Sequence, residues 1–464
     1  MINNIQKFKA KTGLIWSLLF GWALAIGLLW PGEEPSKINT LIVIGIVFSL
    51  AYTIITLAYR SKIIKSKIYW MVVFMIMMTL VVIVLQFILT GSDIGHREIE
   101  GFDPVRYDYE AKIAVENNWD FTAAKGSYNF LGVIYYIAGI YWLFGVSTLY
   151  VSLFNLLFVL TGFLAVTKIL VDQTNEIQPW QKMAWGMLIP SVIYYAALTS
   201  KDILTMSLIA IILCLVNRLL NKKKLLLLLY LAICSGALIM IRASALIIVI
   251  IVTAYIILFM RKNKKFVIYA LFILIILSII ALQLAPIITE QLGGTPFRIS
   301  TLLALEPKIK MAEELSTKGS LNLLFTPKTY IQVVLFMPIR ALFLLIAPFP
   351  NIWILGSSSK IKFDVLSLWL ILLYLPALFA ATISRKIRKL DIYKFIVIPF
   401  WLMLITIATA LFIIHERYRL MFMPLWFAAI LLAFHYDNPR KYIFLSLAFI
   451  VSGAIFYALL KLVA

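Results

Sequence analysis

The sequence predicts an all-α polytopic membrane protein, with about thirteen transmembrane helices and a first extracytoplasmic loop carrying juxtamembrane helices. Three observations predict it. Apolar runs of about twenty residues recur along the chain, such as "MVVFMIMMTLVVIVLQFILT" (71–90), and that length matches the ~30 Å hydrocarbon core of a bilayer. Hydrophobic residues make up 63% of the chain and charged residues only 14%, with a mean hydropathy of +0.99. The charges that do occur are mostly grouped between the runs, which is the pattern that sets membrane topology.

The first run, about 13–30, follows Lys7, Lys9 and Lys11 and continues into "PGEEPSK" with no small-residue cleavage site, so a retained anchor is expected. Runs at about 40–59, 68–90, 147–171, 182–199, 203–220, 225–241, 243–260, 266–287, 363–383, 392–414, 420–436 and 443–460 complete the thirteen. Two others, about 128–145 and 330–350, are broken by Gly or Pro or poorly flanked, and are expected to be re-entrant or interfacial. With the N-terminus inside, this count places every basic cluster in the cytoplasm: "RSKIIKSK" (60–67), "NRLLNKKK" (217–224), "RKNKK" (261–265), "RKIRK" (385–389) and "PRK" (439–441). Of the 21 acids, all but Asp172, Glu176, Asp391 and Asp437 then lie outside. The net charge of +21 is thus a topology signal with an affinity for anionic membrane lipids, and no nucleic-acid partner is needed to explain it. Cys214 and Cys234 both sit within apolar runs, so neither a disulfide framework nor a zinc spacing is present.

Two long external loops remain, 91–130 and 288–329. The first contains "GFDPVRYDYEAK" (101–112), an unusually polar stretch in so apolar a chain. Asp103, Tyr107 and Ala111 are spaced to share one face of a short helix. Asp103 followed by Pro104 also suits a helix start, and the simpler reading of Asp103 is a cap. Further along, Lys201 and Asp202 in "ALTSKDILTMS" (197–207) stand where one span ends externally and the next begins. Arginines end external spans at Arg242 and Arg340, and "HERYR" packs His415, Arg417 and Arg419 between two spans. Single arginines can snorkel to the interface, whereas a cluster of guanidinium forks suits bidentate binding of phosphate. A carboxylate beside such a cluster could deprotonate an acceptor hydroxyl while the arginines stabilise a departing phosphate.

The order, spacing and sidedness of these residues resemble the GT-C membrane glycosyltransferases, among them protein O-mannosyltransferases, the lipid A aminoarabinose transferase and oligosaccharyltransferases. Asp103, Tyr107 and Ala111 match an Asp-Glu-x-x-Tyr-x-x-x-Ala pattern in the first external loop of that family. "IYWLFG" (140–145) resembles its juxtamembrane segment, Asp202 falls where a second external acid occurs, and Arg417, Arg419 and Pro424 resemble an Arg-x-Arg-x-x-x-x-Pro pattern. The resemblance covers about 68–436. It divides the chain into two extra N-terminal helices (1–67), a catalytic membrane module with loop 91–130 (68–287), and a C-terminal part with the second loop and re-entrant segment (288–464).

It implies transfer of a sugar from a polyprenyl-phosphate-linked donor to a glycan, lipid or protein acceptor outside the cell membrane, with inversion. Asp103 and Asp202 would be catalytic; Tyr107, Lys201, Arg242, Arg340, His415, Arg417 and Arg419 would bind substrate. Pro104 stands in place of the family's glutamate, so a divalent metal is allowed but not indicated, and no cofactor is expected. Two other readings fit the composition: a polymerase or ligase of polyprenyl diphosphate-linked glycans, and a transporter of lipid-linked glycans. The sequence shows no internal repeat, as a transporter with paired halves would, and "GSSSK" (356–360) lacks P-loop spacing.

Overall fold

The computed structural model describes residues 37–90, 103–119, 131–221, 224–259, 327–346, 359–410 and 416–437, with isolated positions elsewhere. Among these residues every regular element is helical. An apolar run in lipid has no water to satisfy its amides, so it closes its own hydrogen bonds as a helix.

The N-terminal pair is α1 (Lys37–Arg60) and α2 (Lys67–Thr90). Two short helices follow, α3 (Asp103–Glu116) and α4 (Leu131–Phe144), each of 14 residues. At 1.5 Å per residue that is roughly 21 Å, too short to cross a ~30 Å core. Next come α5 (Thr148–Thr174), a first 3₁₀ segment (Pro179–Leu188), α6 (Pro190–Ala197), α7 (Lys201–Asn221) and α8 (Leu225–Phe259). The C-terminal part holds α9 (Tyr330–Ile346), α10 (Ser359–Ile383), α11 (Arg385–Arg388), α12 (Asp391–Ala410), a second 3₁₀ segment (Glu416–Phe422) and α13 (Met423–Tyr436).

Among the described residues, six helical stretches are long and apolar enough to cross a membrane: Ile38–Arg60, Lys67–Gln86, Thr148–Thr174, Lys201–Asn221, Asp391–Thr409 and Tyr418–Tyr436. Gly132–Phe144, Leu226–Arg242, Ile247–Ile256, Ile331–Leu342 and Leu370–Ile383 are apolar but shorter. Of the thirteen expected spans, those at 13–30, 266–287 and 443–460 lie outside the described residues apart from isolated positions.

One expected span takes a different form. The run 182–199 is not one helix but the first 3₁₀ segment followed by α6. Pro190 divides it, because proline lacks the amide a continuing helix needs yet fits a helix's first turn. Ten residues at ~2.0 Å and eight at ~1.5 Å still extend roughly 32 Å, so the segment links the two ends of the bundle in two pieces. The runs 225–241 and 243–260 are two helices, as expected, that meet at a kink at Arg242, whose backbone is extended (φ −159°, ψ 87°); α8 labels the pair.

α5 and α7 run side by side through the centre, with α8 against α7 and α1 against α5. They meet closely at Gly162, where a Cβ would lie 3.1 Å from both Cα and Oγ of Ser207. Small residues permit such an approach between helices in lipid, and the Ser207 hydroxyl donates across the seam to the Phe158 carbonyl at 2.6 Å. The buried core is one cluster from Val43 to Ala433, uniting the N-terminal pair with the C-terminal helices.

The bundle has two chemically distinct ends. At one, the Lys65 ammonium donates to Gln178 Oε1 (2.8 Å), its backbone amide to Gln181 Oε1 (3.0 Å), and His435 meets Glu176 (2.9 Å). These contacts gather the loop after α1 and the ends of α5 and α13, and the 217–221 end of α7 joins them through Asn217 and Gln173. The opposite end holds α3, the start of α7 and the second 3₁₀ segment.

Candidate active site

The site is built outward from the three-residue gap between α6 and α7. A helix leaves its last carbonyls without partners, and inside a membrane protein they need some other donor. Two buried polar side chains of α5 supply it. Asn155 Nδ2 donates to the carbonyls of Ala196 (3.2 Å) and Leu198 (2.9 Å), and Ser152 Oγ donates to that of Ala197 (2.7 Å). Both side chains are fully buried, and the Tyr136 hydroxyl holds Asn155 by donating to its Oδ1 at 3.1 Å. This clasp fixes where α7 begins, and hence where Lys201 and Asp202 point.

We expect Asn155→Leu to leave the Ala196 carbonyl unsatisfied at about 1–3 kcal/mol, the Leu198 carbonyl keeping the Ser200 amide at 2.9 Å. The purified variant should melt earlier, and cysteines placed at Thr199 and Pro104 should crosslink less efficiently. Unchanged melting and crosslinking would remove Asn155 from this role.

Lys201 faces α3. Its ammonium donates to the Tyr107 hydroxyl at 2.7 Å and lies 3.5 Å from Asp103 Oδ2. The Thr199 hydroxyl donates to the Pro104 carbonyl at 2.6 Å, a second tie to the same helix turn. Tyr107 and Ala111 are buried on this face of α3, as the spacing predicted, and Ala114 is buried as well. Elsewhere on α3, Arg106 pairs with Glu110 (2.6 Å), Lys112 pairs with Asp108 (2.7 Å), and the Tyr141 hydroxyl of α4 donates to Asp108. Burial first, and the Asp108 carboxylate second, push the Tyr141 hydroxyl far above its ordinary range, so it stays a donor that pins α4 to α3.

Asp202 points elsewhere. Its Oδ1 lies 3.1 Å from Arg242 Nη2, and the two side chains are only 3% and 5% exposed. The contact is an ion pair rather than an aligned hydrogen bond: neither Asp202 Oδ1 nor Arg242 Nη1 has a hydrogen-bond partner. The Arg242 guanidinium also lies 5.4 Å from the ring centre of Tyr418, within cation–π range. Arg242 thus occupies the break in α8, against both α7 and the second 3₁₀ segment.

Two further arginines complete this end. Arg340 Nε donates to the Ala408 carbonyl (3.0 Å) and Arg419 Nη1 to the Leu345 carbonyl (3.3 Å). Each is 1% exposed, so snorkelling, the simpler alternative for a single arginine, does not describe Arg340, and Arg419 of the expected cluster is buried as well. His415 lies outside the described residues. Arg417 belongs by its backbone to the same 3₁₀ segment as Arg419, with its side chain outside the described set.

The structure therefore brings Asp103, Tyr107, Lys201, Asp202 and Arg242 onto one helix start, with Arg419 next in sequence to Tyr418. Four cations are buried at this end, Lys201, Arg242, Arg340 and Arg419, against two buried carboxylates, Glu110 and Asp202, so its buried side chains carry excess positive charge among the described residues. No protein-family model and no curated protein matches this chain. Geometry alone must say what the site can do. Asp103 is one-third exposed and able to meet a substrate, whereas Asp202 is buried and suited to aiming Arg242. Among the described residues no three His, Cys, Asp or Glu side chains group as a metal ion would need.

Sequence reasoning missed Asn155, Ser152, Thr199 and Tyr418. Asn155 did leave a signal, because an amide within "VSLFNLLFVL" (151–160) is costly in a span without a local purpose. Tyr418, between Arg417 and Arg419, carries no sequence signal of its own.

Proposed function

We propose that the chain is a glycosyltransferase that moves a sugar from a polyprenyl-phosphate-linked donor to an acceptor hydroxyl on the extracytoplasmic face of the membrane. The observation that carries the reading is the pairing of an accessible carboxylate, Asp103, with a buried surplus of cations built on the same helix start. A transferase of this kind needs both. The acceptor oxygen loses its proton to Asp103 and attacks the anomeric carbon. The bond from that carbon to the phosphate oxygen breaks, and the electron pair leaves with the polyprenyl phosphate.

Arg242, Arg417 and Arg419, with Arg340 behind them, stabilise that charge; forked donors held in a water-poor site do so most effectively. Direct displacement inverts the anomeric configuration. Tyr107 and Lys201 hold Asp103 in place, and Asp202 aims Arg242. The orientation follows from the charge distribution: the basic loop 60–67 and the basic end of α7 lie at the far end of the bundle, which the positive-inside rule assigns to the cytoplasm.

The reading is tested in cells whose gene is deleted. They should accumulate a polyprenyl-phosphate-linked sugar in their lipid extract, seen by mass spectrometry, and the wild-type gene should clear it. A lipid-linked sugar pool unchanged by deletion would overturn the reaction. Accumulation of the lipid-linked sugar only in the inner leaflet would point instead to a transporter.

A further inference from the structure

A second polar constellation lies at the opposite end of the same two central helices, and the reaction makes no use of it. Lys168 and Asp172 of α5 form an ion pair, each 20% exposed. The other Asp172 oxygen accepts from Asn217 Nδ2 of α7 at 3.4 Å, and Asn217 Oδ1 accepts from Gln173 Nε2 at 2.6 Å. Asn217 is fully buried. Polar side chains within spans are costly and generally serve a purpose. This network shapes a cavity of about 220 Å³ lined by Lys168, Asp172, Arg218 and Asn221, several times the ~30 Å³ that one water occupies in the liquid.

The charges in the cavity do not cancel. Lys168 neutralises Asp172, whose two oxygens are both engaged. Arg218 is left over: partly buried, it forms no hydrogen bond or ion pair with any side chain among the described residues. A lone guanidinium in a preformed concavity suits one class of ligand, a phosphate oxyanion held by two parallel N–H donors. The position selects the source of that phosphate. Arg218 is 16 residues from Asp202 on one continuous helix, roughly 24 Å along its axis, so the cavity opens near the opposite membrane face. Basic pockets between spanning helices on that side hold anionic headgroups.

We propose that this cavity binds the headgroup phosphate of an anionic membrane lipid, with Arg218 as the principal contact and Lys168 as the secondary one. The site is distinct from the proposed reaction and does not depend on it.

The test uses the purified full-length protein in nanodiscs of mixed phosphatidylglycerol and phosphatidylcholine, with retained lipid measured by native mass spectrometry. Wild type should retain phosphatidylglycerol preferentially. Arg218→Gln should weaken that retention about tenfold or more, the loss expected for one charge-assisted contact. Arg385→Gln, which removes an exposed basic residue at the same end outside the cavity, should leave retention unchanged. Three results would overturn the proposal. One is equal retention by wild type and Arg218→Gln. Another is an equal loss with Arg385→Gln, which would mean general surface attraction. The last is displacement of the lipid by millimolar inorganic phosphate, which would assign the cavity to a soluble anion. Melting curves of each variant separate loss of the ligand from loss of the fold.

Discussion

On the proposed mechanism, Asp103→Asn should slow sugar transfer by a factor of about 10²–10⁴ while the protein still folds, inserts and binds its lipid donor. The factor is that of a positioned general base. Folding should survive because Asp103 is one-third exposed and its contact with Lys201 is a loose 3.5 Å, and such partly solvated pairs contribute little. Asparagine also caps a helix about as well as aspartate, so the start of α3 is kept. Lys201 retains the Tyr107 hydroxyl at 2.7 Å and need not move. Transfer and donor binding must therefore be measured separately on the same purified variant. Transfer at a near wild-type rate would reduce Asp103 to a cap and remove the centre of the mechanism.

The second large effect is on stability. Arg242→Ala leaves Asp202 3% exposed with its cation gone, and breaking one side of a buried pair costs about 3–5 kcal/mol. The variant should be recovered poorly and melt well below wild type. Replacing both partners, Asp202→Asn with Arg242→Gln, removes the uncompensated charge and should restore much of the melting temperature. Transfer should remain strongly impaired in the double variant, because the Arg242 guanidinium is then missing from the set held for the leaving phosphate. A stable Arg242→Ala protein would contradict the burial argument. An active double variant would contradict the assignment of Arg242 to the phosphate.

The helices and the polar helix of the first loop were legible because hydropathy and spacing are local properties. The face shared by Asp103, Tyr107 and Ala111 could be read from a step of four residues, and Lys201 with Asp202 stood out as charges flanking a span. The break within 182–199 was harder, because "KMAWGMLIPSVIYYAALT" reads as one apolar run and only Pro190 marks the division. Arg340 and Arg419 were expected to bind substrate, but not to donate to backbone carbonyls, since those partners, Ala408 and Leu345, lie 68 and 74 residues away. No local pattern announces an acceptor at that distance. The ion pair of Asp202 with Arg242 was hidden for the same reason, although a single arginine in an apolar stretch did mark where α8 is interrupted.

The length of α7 has a consequence for depth. Its charged ends, Asp202 and Arg218, are separated by roughly 24 Å along the axis, about 6 Å less than a typical hydrocarbon core. A span that short must either thin the surrounding bilayer or let one charged end sink below the headgroups. The Asp202 end is the buried one. On the proposed function, Lys201, Asp202 and Arg242 would then act beneath the membrane surface, where attraction between charges is several times stronger than in water. A lipid-borne phosphate would reach them without rising out of its leaflet, and the water-soluble partner would have to descend to meet it.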